Sequence, residues 1–211
     1  MENQNKTALQ WIFILLWITV GHLAISCLRF TSIPDIYLNW LDLFLSVGGV
    51  FCIAQLAGEH PSYRPACILI GIQVILNFAE ALLTALLLTH RLEDPSYKND
   101  LYTNINAILN AVQIWIGLIG TYLLYAAHGK LVSDKSPELS RAWKRFFGWS
   151  LAVSLLRSVT SIVLSQLHLQ NVITLNIYNN LFTPLVTIPA LVISGIHIFY
   201  LVKTCRILEE S

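Results

Sequence analysis

Apolar residues run along this chain in six long stretches, at about 9–29, 38–58, 66–89, 104–127, 146–167 and 175–202. A helix needs roughly 20 such residues to cross a hydrocarbon core. The stretches are separated by short breaks rich in turn formers: Thr31-Ser32-Ile33-Pro34-Asp35, Gly58-Glu59-His60-Pro61-Ser62 and Glu93-Asp94-Pro95-Ser96. Ser136-Pro137-Glu138 reads as a helix N-cap, a proline at the first helical position and an acid in the first turn. It starts an amphipathic lead-in to the fifth stretch. The pattern predicts an all-α, polytopic membrane bundle of six transmembrane helices, one integral membrane domain over 1–211. The sixth stretch is longer than a membrane requires, and Pro184 and Pro189 interrupt it. Each proline removes a backbone hydrogen bond. A kink is therefore expected near Thr183–Pro189, with 172–181 a partly separate half-helix.

Inside these stretches the polar residues recur at steps of three and four, which puts them on one face of each helix. The stripes are Thr19, His22 and Ser26; Asn39, Asp42, Ser46 and Gly49; Gln73, Asn77, Glu80 and Thr84; Asn106, Asn110, Gln113 and Gly117; Ser150, Ser154, Arg157, Ser161 and Ser165; and Asn176, Asn180, Thr183, Thr187, Ser194 and His197. Six polar faces point to a shared interior with lipid outside. The third and fourth stretches also share the pattern I-[QN]-x-I-L-N-x-x-[EQ], at Ile72–Glu80 and Ile105–Gln113. Because these helices run in opposite directions, a duplication here would be of the inverted kind.

Composition agrees with a membrane chain: 55% of residues are apolar and only 12% charged, about half the usual globular share. The net charge of +1 gives no electrostatic case for a nucleic-acid partner. Its distribution sets a topology. Lys6, Arg64, Lys130, Lys135, Arg141, Lys144, Arg145, Lys203 and Arg206 fall on one side, and Arg29, Arg91 and Lys98 on the other. The positive-inside rule then makes both termini cytoplasmic, in a plasma or inner membrane. Trp11, Tyr37, Trp40, Tyr63, Tyr102, Tyr122, Tyr125, Trp143, Trp149 and Tyr200 lie near the expected interfaces and read as an aromatic belt.

Three ionisable residues at membrane depth, Asp42, Glu80 and Arg157, narrow the function. A charge at a helix centre costs about 2.5–3.5 kcal/mol on insertion scales. Such residues face a protein interior or wet cavity, often with a partner. The expected site is a polar cavity opening away from the cytoplasm, with these three at its base and His22, Asn77, Asn110, Gln113 and Asn180 as binding or proton-coupling candidates. A carboxyl and a histidine sharing a proton there would suit a proton-coupled or cation-accepting site.

Small-solute or ion transport is the leading expectation, with the lipid bilayer as surroundings and a homodimer as the working unit. An accessory or immunity-type binding protein, and an intramembrane enzyme on a lipid or isoprenoid with Glu80 or Asp42 as acid and Arg157 as anion binder, are the alternatives. The stripes alone also fit packing between helices, and Arg157 with either acid fits a structural ion pair.

No cofactor or metal is expected. Cys27, Cys52, Cys67 and Cys205 have no metal spacing, and no hydrolase, zinc-protease or nucleotide-loop motif occurs. His22 and His197 fall at opposite depths, which excludes them as a haem pair, and both read as hydrogen-bonded core residues. His128 and His168 read as interfacial and His60 as a loop residue. Cys205, past the last stretch, is a candidate for palmitoylation.

Overall fold

A computed structural model describes residues 2–29, 33, 35–93, 100–169, 174, 177, 181, 185 and 187–210. Within the helices, side chains at 2–5, 35–36, 84, 87–93, 100–104, 106–107, 110–111, 157–158, 161–162, 165–166 and 168–169 lie outside that description. The described elements are all helical: α1 Glu2–Leu28, α2 Asp35–Glu59, a 3-10 turn Pro61–Tyr63, α3 Arg64–Glu93, α4 Asp100–Leu131, α5 Pro137–Leu169 and α6 Ile188–Glu209. Four apolar helical stretches are long enough to cross a membrane: Lys6–Leu28, Tyr37–Glu59, Pro61–Leu83 and Ile188–Glu209.

Each helix packs on its neighbour in the chain, and α6 packs on both α5 and α1, which closes a ring. The core lies at the end of the ring that carries both termini. Ala8, Ile12 and Leu16 of α1 meet Leu201, Cys205 and Leu208 of α6 there, with Leu56 of α2, Tyr63, Leu124 of α4 and Trp143 of α5. We call this the terminal end. Toward the far end, the described residues that reach burial include Ile25, Leu38 and Leu164.

The opposite face of every helix is apolar and exposed: Phe13 and Trp17, Phe44 and Phe51, Ile68 and Ile75, Trp115 and Ile119, Leu156 and Val159, Val192 and Phe199. In water that much apolar surface would drive aggregation. Hydrocarbon suits it, since each helix satisfies its own backbone.

Local chemistry explains the joints. Ser136 Oγ accepts the Leu139 N–H at 3.2 Å, so the Ser-Pro-Glu cap forms as its spacing predicts. It opens one unbroken helix of 33 residues rather than a separate lead-in. At the end of α2 the His60 N–H donates to the Leu56 carbonyl at 2.7 Å, and Arg64 Nε donates to the Ala57 carbonyl at 3.3 Å. Pro61 then turns the chain so that Tyr63 enters the core. Helix α6 begins at Ile188 with Pro189 in its first turn, where its missing N–H is harmless, and it runs past the expected end at 202. The expected kink at Thr183–Pro189 and the half-helix at 172–181 fall mostly outside the described residues.

Two readings of helix ends are corrected. Tyr63 and Trp143 are 0% exposed and Tyr125 is 5% exposed, so they are core rather than belt residues. Tyr37, Tyr122 and Trp149 do face outward. Cys205 is buried against the core, which removes it as an accessible acylation site.

Candidate functional site

Among the described residues, His22 and Asp42 of the polar stripes follow lines of buried residues, while Asn39 is exposed. On α1, His22 continues the line Ala8, Ile12, Leu15, Thr19, whose apolar members are buried. On α2, Asp42 continues the line of Leu38, Gly49, Cys52 and Leu56, likewise buried. Gly21 fits these two helices together, since a Cβ there would sit 2.8 Å from Leu45 Cδ1. His22 Nδ1 and Asp42 Oδ1 consequently meet at 2.7 Å. The two side chains remain 33% and 43% exposed although both stand on inner stripes. They are thus less enclosed than the buried residues of the terminal end. Ser26 Oγ donates to the His22 carbonyl and Ser46 Oγ to the Asp42 carbonyl, so these serines satisfy themselves within their own helices. Nearer the far end, Arg29 donates to Asn39 Oδ1 at 2.8 Å.

A second polar seam joins α3 and α4. A Cβ on Gly120 would lie 3.1 Å from Ile70 Cγ1 and 3.6 Å from the Ile70 backbone nitrogen, so the helices touch closely there. One turn on, the Gln73 side chain covers Gly117. The same antiparallel register, one further turn along, sets Asn77 opposite Gln113 and Glu80 opposite position 110. Gln113 is buried, and its Nε2 has no hydrogen-bond partner among the described residues. Asn77 and Glu80 are half-buried on the face away from Ile72, Ile75 and Leu82.

Of the sequence candidates, the structure therefore joins His22 to Asp42 and places Asn77, Glu80 and Gln113 on inner faces. The side chains of Asn110, Arg157 and Asn180 lie outside the described residues.

The terminal end holds a cluster that sequence reasoning missed. His128, expected at an interface, is 0% exposed and its Nδ1 lies 2.8 Å from the Tyr63 hydroxyl. The phenol and the imidazole nitrogen are each other's hydrogen-bond partner, and which of them donates depends on the histidine tautomer. Trp143 packs on the His128 ring at 4.8 Å and on the His197 ring at 5.8 Å. It also donates from Nε1 to Thr204 Oγ1 at 3.2 Å. Tyr125 meets His197 at 5.0 Å. Nε2 of both histidines is buried without a partner among the described residues. His197 thus finds a histidine at its own level, in His128 rather than His22. A macrocycle between these imidazoles would have to displace Trp143 from the centre of the core.

Among the described residues no cluster of three or more metal-ligating side chains occurs. No known protein family matches this chain, and no curated protein or solved structure is detectably similar to it.

Proposed function

We propose that this chain is a six-span membrane protein, with both termini in the cytoplasm, that moves a small polar solute or ion through its ring in exchange with protons. The observation that carries this is the His22–Asp42 pair: an acid and a base in contact on the lines of the inner faces, with side chains still 33% and 43% exposed. A histidine beside a carboxylate is a common element of proton relays. The half-buried Asn77 and Glu80 supply hydrogen-bonding groups beside it for a hydrated solute. The packed cluster of Tyr63, Tyr125, His128 and Trp143 closes the opposite end. Alternating access would require that cluster to part, and a second copy of the chain would give the small ring a scaffold to move against.

Proton movement across proteoliposomes, read with a pH-sensitive dye as each of a set of small cations and polar solutes is added in turn, tests the reading, since an exchanger moves protons only against its partner solute. The wild-type chain should carry flux, and Asp42→Asn should abolish it while thermal stability in detergent is kept. Flux equal to protein-free vesicles would sink the proton-coupled reading.

A further inference from the structure

Exposed cations gather on α5 and α6 near the terminal end. Arg141, Lys144 and Arg145 are exposed on α5, and Lys203 and Arg206 on α6. The two helices are neighbours in a known register. Trp143 reaches Thr204, and Phe146 meets Tyr200 at 5.3 Å. That register sets Arg145 and Lys203 at one level on either side of the seam. Directly beneath, toward the middle of the helices, stand Trp149 at 71% exposure, Phe199 and Ile196. Lys203 Nζ lies 4.6 Å over the Phe199 ring, so this cation folds down onto the apolar wall. The acids of these helices, Glu138, Glu209 and Glu210, are exposed nearer the terminal end and fewer than the cations, so the surface keeps a positive balance.

We propose that this seam is a binding site for an anionic phospholipid. The phosphate sits between the Arg145 guanidinium and the Lys203 ammonium, and an acyl chain lies along Trp149 and Phe199. Charge complementarity selects the headgroup: a guanidinium takes phosphate oxygens in pairs, and cations at this level attract anionic lipid. The apolar wall selects a lipid over a free phosphate, since an inorganic anion gains nothing from indole and phenyl surface. The site faces outward from the ring, so it stands independently of what the interior carries.

The test uses the full-length chain in nanodiscs of phosphatidylcholine with a minor share of phosphatidylglycerol, followed by native mass spectrometry of the lipid retained. Phosphatidylglycerol should be enriched over its share of the bilayer. The variant Arg145→Gln/Lys203→Gln should weaken its retention roughly 25-fold, about fivefold for each cation removed. Arg29→Gln at the far end should leave retention unchanged. Each single variant gives an intermediate value and serves as a check if the double variant folds poorly. Equal retention of the two lipids, or wild-type retention by the double variant, would overturn the proposal. So would displacement of the lipid by millimolar inorganic phosphate, because that result marks an anion site without an acyl groove.

Discussion

Tyr63→Phe removes one oxygen from the middle of the terminal core, and the consequence can be worked from its single partner. The hydroxyl lies 2.8 Å from His128 Nδ1, and both residues are 0% exposed. Without it, Nδ1 is buried without that partner, and a packed core leaves little room for water to replace the phenol. Leaving a buried group unsatisfied costs about 1–3 kcal/mol. Hydrogen bonds between helices in membrane proteins average about 0.6 and reach about 1.7 kcal/mol, since the unfolded chain also finds partners. The expected loss is therefore about 1–2 kcal/mol. His128→Phe keeps a ring against Trp143 but removes both nitrogens, including Nε2, which has no partner already. Once His128 is gone, removing the Tyr63 hydroxyl should cost little. A double-mutant cycle in detergent denaturation then gives a coupling of about 1 kcal/mol or more. Additivity within about 0.3–0.5 kcal/mol would refute the reasoning, because that is the behaviour of groups that do not touch.

Glycine positions separate close approach from open surface. Gly129→Ala should lower the melting temperature, since its Cβ would lie 3.2 Å from the Ser140 backbone carbonyl and 3.4 Å from Trp143 Cβ. Gly148→Ala, which meets nothing, should hold or raise it by the helix preference of alanine, up to about 1 kcal/mol. Thiol labelling of the folded chain should modify the exposed Cys27 readily and leave the buried Cys205 untouched until denaturation; rapid labelling of both would contradict the burial of the α6 end. Burial holds His60 below its usual pKa, against the raising effect of Glu59 and together with the lowering effect of Lys135. The unfolded chain then binds more protons there, so stability should be full above about pH 6.5 and decline as pH falls below it. His60→Gln should flatten that decline in thermal melts; an unchanged slope would show that other groups set it.

The helices and their inner faces were legible because apolar length and three-four periodicity are properties of the chain itself. The Ser136-Pro137-Glu138 cap was legible for the same reason, as its chemistry is local. The meeting of His22 and Asp42 was not. Each stood out as a polar residue on a stripe, but it is the packing of α1 on α2, with Gly21 against Leu45 and Gly48 against Ile18, that brings them to one level. The aromatic belt failed where depth was read without rotation. Trp143 and Trp149 lie on the same helix within two turns, yet one is wholly buried and the other is the most exposed of the tryptophans described. Phase would have separated them, since Trp143 is in step with Leu139, Phe146 and Ser150, and Trp149 with Arg145 and Leu156. The same phase argument would have turned His128 inward, in step with Leu124 and Gly120.

The proposed transport requires an interior that is open at the far end and closed at the terminal end. Its most direct test is the reactivity of Asp42→Cys, in a chain carrying Cys27→Ser, toward a charged, membrane-impermeant thiol reagent added to intact cells. Rapid modification from outside, with no modification of the native Cys52 near the closed end, is the predicted result. Modification of the new thiol only after the cells are permeabilised, or not at all, would contradict it.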